Sequence, residues 1–120
     1  MSEPLIKLSI RDGVATVVLN RPYKRNALSR EMLSELSQAF EDLGNEKKVR
    51  GVVLTAAGSA FSAGQDLAEM LADGAGPDAF LNRQADVEQT QALVEQVLRF
   101  PKFLVAGVNG PALGVGAALV

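Results

Sequence analysis

The stretch VVLTAAGSAFSAGQDL at 52–67 decides the reading, together with FLVAGVNGPALGVGAALV at 103–120, because the two are built alike. Each opens on an apolar run of strand length, passes through a loop of glycine, alanine and serine or asparagine, and ends on a helix start. The apolar runs, 49–55 (VRGVVLT) and 103–108, read as buried strands with little period-two alternation, as in parallel sheets. In such a sheet both loops leave from the carboxyl ends of their strands, where open α/β folds bind ligands. Small residues let a ligand approach the backbone. Helix N-termini add unpaired N–H groups and the positive end of a dipole. Two such loops side by side can aim two N–H donors at one oxygen, the geometry that stabilises an enolate or a tetrahedral oxyanion.

Outward from these loops, the rest of the chain reads as alternating strands and helices. Ile6, Leu8 and Ile10 alternate with Lys7 and Ser9, and Val14, Thr16 and Val18 continue after Asp12-Gly13, a dipeptide that favours a tight hairpin. Asn20-Arg21-Pro22 ends the second strand. Ser29 is a fit N-cap, and Met32, Leu33, Leu36, Phe40 and Leu43 fall on one helical face, with Gly44 placed to close the helix. A short helix is expected around 66–71. After the flexible break Asp73-Gly74-Ala75-Gly76-Pro77, the residues Phe80, Val87, Val94 and Leu98 outline a long helix ending near Phe100-Pro101. Another helix is expected from 113–115. This order implies right-handed crossovers and a mostly parallel sheet, hence an α/β fold.

Composition narrows the chemistry. The chain has 120 residues and a net charge of −2, so no global charge draws it to nucleic acid or to an anionic membrane. It has neither cysteine nor histidine, which removes thiolate chemistry, a Ser-His-Asp triad and any imidazole metal ligand within these residues. No signal peptide is visible, and no apolar run reaches membrane-spanning length. A cytoplasmic location is the default expectation. The apolar stretch PALGVGAALV reaches Val120 without a cap or stop signal, so a truncated fragment is expected.

Three motifs then converge. FSAGQDL at 61–67 resembles the first oxyanion loop of the enoyl-CoA hydratase/isomerase (crotonase) family, and VNGPALGVG at 108–116 resembles its second. NRPYKRNALS at 20–29 resembles the family's early segment. They occur in family order, and the resemblance extends from Leu5 onward. It implies a crotonase-like ββα-repeat superhelix, incomplete at the C-terminus, with residues 1–120 forming the N-terminal part of one acyl-CoA-binding domain. The resemblance also implies that Gln65 and Val115 supply the oxyanion N–H groups. It places the acyl-CoA thioester against Lys24, Arg25, Ala27 and Leu28, against Ala63, Gly64, Gln65, Asp66 and Leu67, and against Gly114. No metal and no cofactor are implied, since coenzyme A enters as part of the substrate. A homo-oligomer, trimer or hexamer, is the family habit.

The residue chemistry agrees with part of this. Arg21, Lys24 and Arg25 form a basic triplet suited to the phosphates of CoA. The resemblance also exposes a departure. Family hydratases place a glutamate four residues after the glycine that Gly114 matches, and that position is Ala118. Its loss favours a Δ3,Δ2-enoyl-CoA isomerase over a hydratase, because isomerisation needs one proton-shuttling base rather than a held water. Hydration, another family reaction, or non-catalytic acyl-CoA binding remain the alternatives.

Simpler readings stand beside these. Gly114-Val115-Gly116 after a strand resembles a dinucleotide loop, but Leu119 occupies the third glycine position. Asp66 fits a helix N-cap better than a catalytic acid. Lys24 and Arg25 read alone would be solvated loop charges. Glu31 and Glu35, one turn apart, read as ordinary helix surface.

Overall fold

The computed structural model describes residues 4–114, 116 and 119. Four strands form one sheet in the order β1-β2-β3-β4, with β1 spanning Ile6–Arg11, β2 Val14–Leu19, β3 Gly51–Ala56 and β4 Phe103–Ala106. β1 and β2 make the antiparallel hairpin expected from Asp12-Gly13. Both turn residues have positive φ (52° and 81°), which the tight two-residue turn requires. β2, β3 and β4 are parallel, with Leu54 opposite Val17 and Ala106.

The crossovers carry the helices α1 (Arg30–Asn45), α2 (Leu67–Ala72) and α3 (Pro77–Leu98). Ser29 caps α1, its hydroxyl accepting the Met32 N–H at 3.1 Å. All five apolar residues of the expected face, Met32, Leu33, Leu36, Phe40 and Leu43, are buried against Ala15, Val17, Leu19, Val52 and Leu54. Phe40 meets Phe100 edge to face, with ring centroids 5.8 Å apart. Leu119 also reaches this core.

Several expectations are corrected. Gly44 does not close α1. The helix continues to Asn45, and Gly44 instead lies against Phe100 and Pro101, where an added Cβ would make ordinary contacts of 3.7 Å. In α3 the buried residues are Ala79, Asp86 and Leu93. Phe80 and Val87 lie one residue on, rotated by about 100° around the helix, and are exposed, as is Leu98. Within the described residues α1 and α3 cover one face of the sheet, so burial alternates along β2 and β3, and β4 exposes Phe103 (84 %) and Val105 (59 %) on the other face. The second apolar run pairs only through Ala106, and the first shifts to start at Gly51.

Candidate active site

The site is assembled from the early segment 20–29 and the two small-residue loops. The early segment must turn sharply to lie against the first loop, and it does so with Arg25 and Asn26 both left-handed (φ 51° and 55°). Asparagine tolerates that region and arginine rarely adopts it, so the turn has to be held from outside. The buried Asn26 side chain holds it: Nδ2 donates to the carbonyls of Ala57 (2.8 Å) and Ala60 (2.9 Å), and Oδ1 accepts the Arg21 N–H at 2.7 Å. One amide thus ties the turn to the loop.

Beyond the turn, Leu28 runs parallel to Gln65 as an isolated bridge. The Leu28 N–H donates to the Gly64 carbonyl at 2.7 Å, and the Asp66 N–H donates to the Leu28 carbonyl at 3.2 Å. In a parallel bridge the residue between those two bonds turns its own N–H and C=O the other way. That residue is Gln65. Its N–H has no acceptor among the described residues.

The second loop is laid onto the first through Ser62. The Ser62 N–H donates to the Pro111 carbonyl (3.3 Å), and the Ser62 carbonyl accepts the Leu113 N–H (2.9 Å). Asn109 reinforces this, donating through Nδ2 to the Gly58 carbonyl at 2.8 Å. The Ser62 hydroxyl donates to the Asn26 carbonyl at 2.8 Å and accepts the Gly64 N–H at 3.1 Å. Ser62 therefore joins all three segments. The approach is too close for side chains. A Cβ on Gly64 would stand 2.9 Å from the Leu113 carbonyl oxygen, and one on Gly116 would stand 2.5 Å from the Ser62 Cβ. Gly116 is thereby seated on Ser62, and Leu113 and Gly114 on Gly64. Val115 and Ala118 lie outside the described residues.

The other expected site residues divide by what they touch. Arg25, Ala63 and Leu113 line a cleft of about 220 Å³ between the loops, with Ser59, Ala60, Ser62 and Pro111. Lys24, Arg25 and Ala63 are exposed, and so are Leu67 and Gly114. Leu28 is fully buried and Ala27 half-buried, so these two build the site from behind. Asp66 is the N-cap of α2, accepting the Glu69 N–H at 3.2 Å, and its other oxygen accepts Arg21 Nη1 at 2.6 Å. Its N–H and carbonyl are also engaged, with Leu28 and Met70, so Asp66 holds the loop. Burial alone would raise the Asp66 carboxyl, but hydrogen bonds from Arg21 and the Glu69 N–H hold it below the ordinary carboxylate range. Arg21 leaves the basic triplet for the same reason, since it is spent on Asp66 and on the Ala27 carbonyl (3.0 Å). Sequence reasoning gave no role of their own to Asn26, Ser62 or Asn109. The usable signal was a polar residue of small size inside each loop motif.

Among the described residues, no group of three or more acidic side chains is arranged to hold a metal ion, and no helix is long and apolar enough to cross a membrane. The family sequence profile described as "Enoyl-CoA hydratase/isomerase" matches residues 9–120. The chain belongs to the enoyl-CoA hydratase/isomerase family. A hydroxycinnamoyl-CoA hydratase-lyase of Pseudomonas fluorescens is 38 % identical over 112 residues, covering 92 % of this chain and 40 % of that protein. The enoyl-CoA delta isomerase 2 of Rattus norvegicus is 32 % identical over 115 residues, covering 96 % and 29 %. The crystal structure of an enoyl-CoA hydratase/isomerase from Xanthobacter autotrophicus Py2 superposes with a TM-score of 0.87 at 35 % identity, covering 98 % of this chain and 43 % of that one. The fold is therefore that of the crotonase enzymes, and the chain spans less than half the length of these relatives.

Proposed function

We propose that the protein in its full length binds an acyl-CoA thioester and converts a 3-enoyl-CoA to the conjugated 2-enoyl-CoA. The observation that carries this reading is the Gln65 N–H, turned away from Leu28 and without an acceptor among the described residues, in a family of acyl-CoA enzymes. A thioester carbonyl oxygen is the acceptor it suits. Val115 would supply the second N–H, since Gly114 and Gly116 on either side of it pack against Gly64 and Ser62. Lys24 and Arg25, exposed beside the cleft, would take the phosphates of CoA. CoA enters as part of the substrate, with no separate cofactor.

With the carbonyl held by two N–H donors, the C2 proton of a 3-enoyl-CoA becomes removable, because the electron pair it leaves spreads into a dienolate. A carboxylate outside residues 1–120 would take that proton and return it to C4, which moves the double bond into conjugation. Each N–H of such a pair contributes about 3 kcal/mol to the transition state, and backbone donors do this whatever side chain they carry. The alanine at 118 supports isomerisation over hydration, since its side chain has no group to hold a water. The competing reading is hydration, and hydratase is the commoner word in the relatives' names.

The test supplies a 3-enoyl-CoA and a 2-enoyl-CoA to the full-length protein and follows conjugation and 3-hydroxyacyl-CoA formation separately. Isomerisation outrunning hydration is expected. Hydration outrunning isomerisation overturns the reaction assigned, and tight binding with neither reaction points to a non-catalytic acyl-CoA binder. Assembly as a homo-oligomer, trimer or hexamer, belongs to the same proposal and is read by light scattering. A cytoplasmic location also belongs to it and is read by cell fractionation.

A further inference from the structure

α2 begins two residues after Gln65, yet no residue of α2 is buried, and Leu67 and Leu71 are 69 % and 80 % exposed. Among the described residues, therefore, apolar packing does not fix this helix, and the segment is held by charge at its two ends. At the start, Asp66 is paired with Arg21. At the finish, Asp73 is paired with Arg30, after which Gly74 and Gly76 take positive φ in open space.

Arg30 does more than close that pair. It is the first residue of α1, two along from the Leu28 that brackets Gln65. Its guanidinium makes a two-pronged contact with the buried Asp86 of α3, Nε to Oδ1 at 2.7 Å and Nη2 to Oδ2 at 2.9 Å. The same group donates to both oxygens of Asp73. Glu69 of α2 accepts the Arg30 N–H at 2.9 Å and stands 3.6 Å from Nε. Gln89 of α3 donates to the Arg30 carbonyl at 3.0 Å. One cation thus gathers three carboxylates from α2, its C-cap and α3. Without that guanidinium the three carboxylates would lose the charge they share and α2 would lose its far anchor, keeping in its middle the bond from the Arg30 backbone N–H to Glu69.

We propose that Arg30 is a positioning residue, an electrostatic latch that fixes α2 against α1 and α3 and so fixes the direction of the Gln65 N–H. The guanidinium fork matters, because an ammonium cannot make two-pronged contacts with Asp86 and Asp73 at once. The catalytic half of this inference rests on the acyl-CoA reading above, and the latch itself does not.

The experiment uses the full-length protein with Arg30→Gln, Arg30→Lys and the milder Asp73→Asn, which spares the buried Arg30–Asp86 pair. Amide hydrogen exchange needs no substrate and reads the latch directly. Residues 65–76 are expected to exchange roughly tenfold faster in Arg30→Gln and in Asp73→Asn, with β2 and the middle of α1 unchanged. Turnover of a 3-enoyl-CoA reads the donor. A fall of roughly tenfold in kcat is expected with KM unchanged, because the interaction disturbed is one made to the transition state. Arg30→Lys should restore only part of either. If Arg30→Gln does not fold, Asp73→Asn alone decides. Unchanged exchange at 65–76 overturns the latch. Faster exchange with native kcat overturns its link to the donor. A native protein inactive on every acyl-CoA overturns the acyl-CoA reading and the donor's role with it, while exchange still decides the latch.

Discussion

Single residues at this site act mainly by holding backbone. Asn26 is the clearest case. It is fully buried, left-handed, and its amide makes three hydrogen bonds that join the early segment to the first loop. Asn26→Ala keeps none of them and strands the Ala57 carbonyl and the Arg21 N–H, so a loss of about 3 kcal/mol in unfolding free energy is expected from denaturant titration. A loss within error of zero would show that water replaces the amide at no cost. Lys24 and Arg25 differ in kind, because they are exposed and their charges face solvent. Replacing both with alanine is expected to raise the KM for acyl-CoA well beyond any change in kcat, since a nucleotide held equally in ground and transition states affects only binding. An unchanged KM removes them from the site. The motifs made Gln65, Lys24 and Arg25 legible in the sequence. They could not show that Arg21 is spent on Asp66, because a pair 45 residues apart is created by the crossover, not by spacing. The Arg30 cluster was illegible for the same reason, since Glu69, Asp73 and Asp86 become neighbours only once α2 and α3 have packed.

Among the elements, the two loops behave as one. Their glycines are contact surfaces, and Gly116 against Ser62 is the tightest seam that bears on the second donor. Gly116→Ala is expected to push the second loop off the first and lower kcat by roughly 100-fold, the scale of a misplacement of about 1 Å, at small cost to the melting temperature. Native kcat in that variant would mean that the loops need not touch. The α2 anchors make a second expectation at this scale. Asp66 is depressed because burial, which would raise it, is outweighed by Arg21 and the Glu69 N–H; Asp73 is depressed chiefly by Arg30, with burial opposing. A depressed carboxyl stabilises the fold fully above its unfolded pKa and loses that contribution as pH falls through its folded value. The segment 65–76 is therefore expected to loosen as pH drops below the ordinary carboxylate range, and to be indifferent to pH between 6 and 8, roughly. Amide exchange against pH checks this; protection that persists into strong acid would contradict it. The hairpin and α1 were legible because turn chemistry and the helical period are local signals. The facing of α3 was not. Its apolar residues Phe80 and Val87 outline a helix correctly but sit beside the buried stripe, and which stripe is used depends on Asp86 finding Arg30.

For the whole molecule, the sheet explains why function sits where it does. Three parallel strands send β3 and β4 into adjacent loops at one edge, and Thr55 Oγ1 bonds the Gly107 carbonyl at 2.6 Å just where the two loops begin. The parallel order and the pairing of similar loops were both readable from the repeated strand-loop-helix pattern. Which face α1 and α3 would take was not, because continuous apolar runs do not say which face a helix will cover. The central claim is that the loop pair polarises a thioester carbonyl, and the infrared spectrum of a carbonyl-labelled acyl-CoA bound to the full-length protein tests it most directly. The bound C=O stretch is expected to fall below its value in water, because two fixed N–H donors in a cleft weaken the double bond more than mobile solvent does. A bound carbonyl at or above the frequency of the free thioester would contradict the claim, leaving the Gln65 N–H without the role assigned to it.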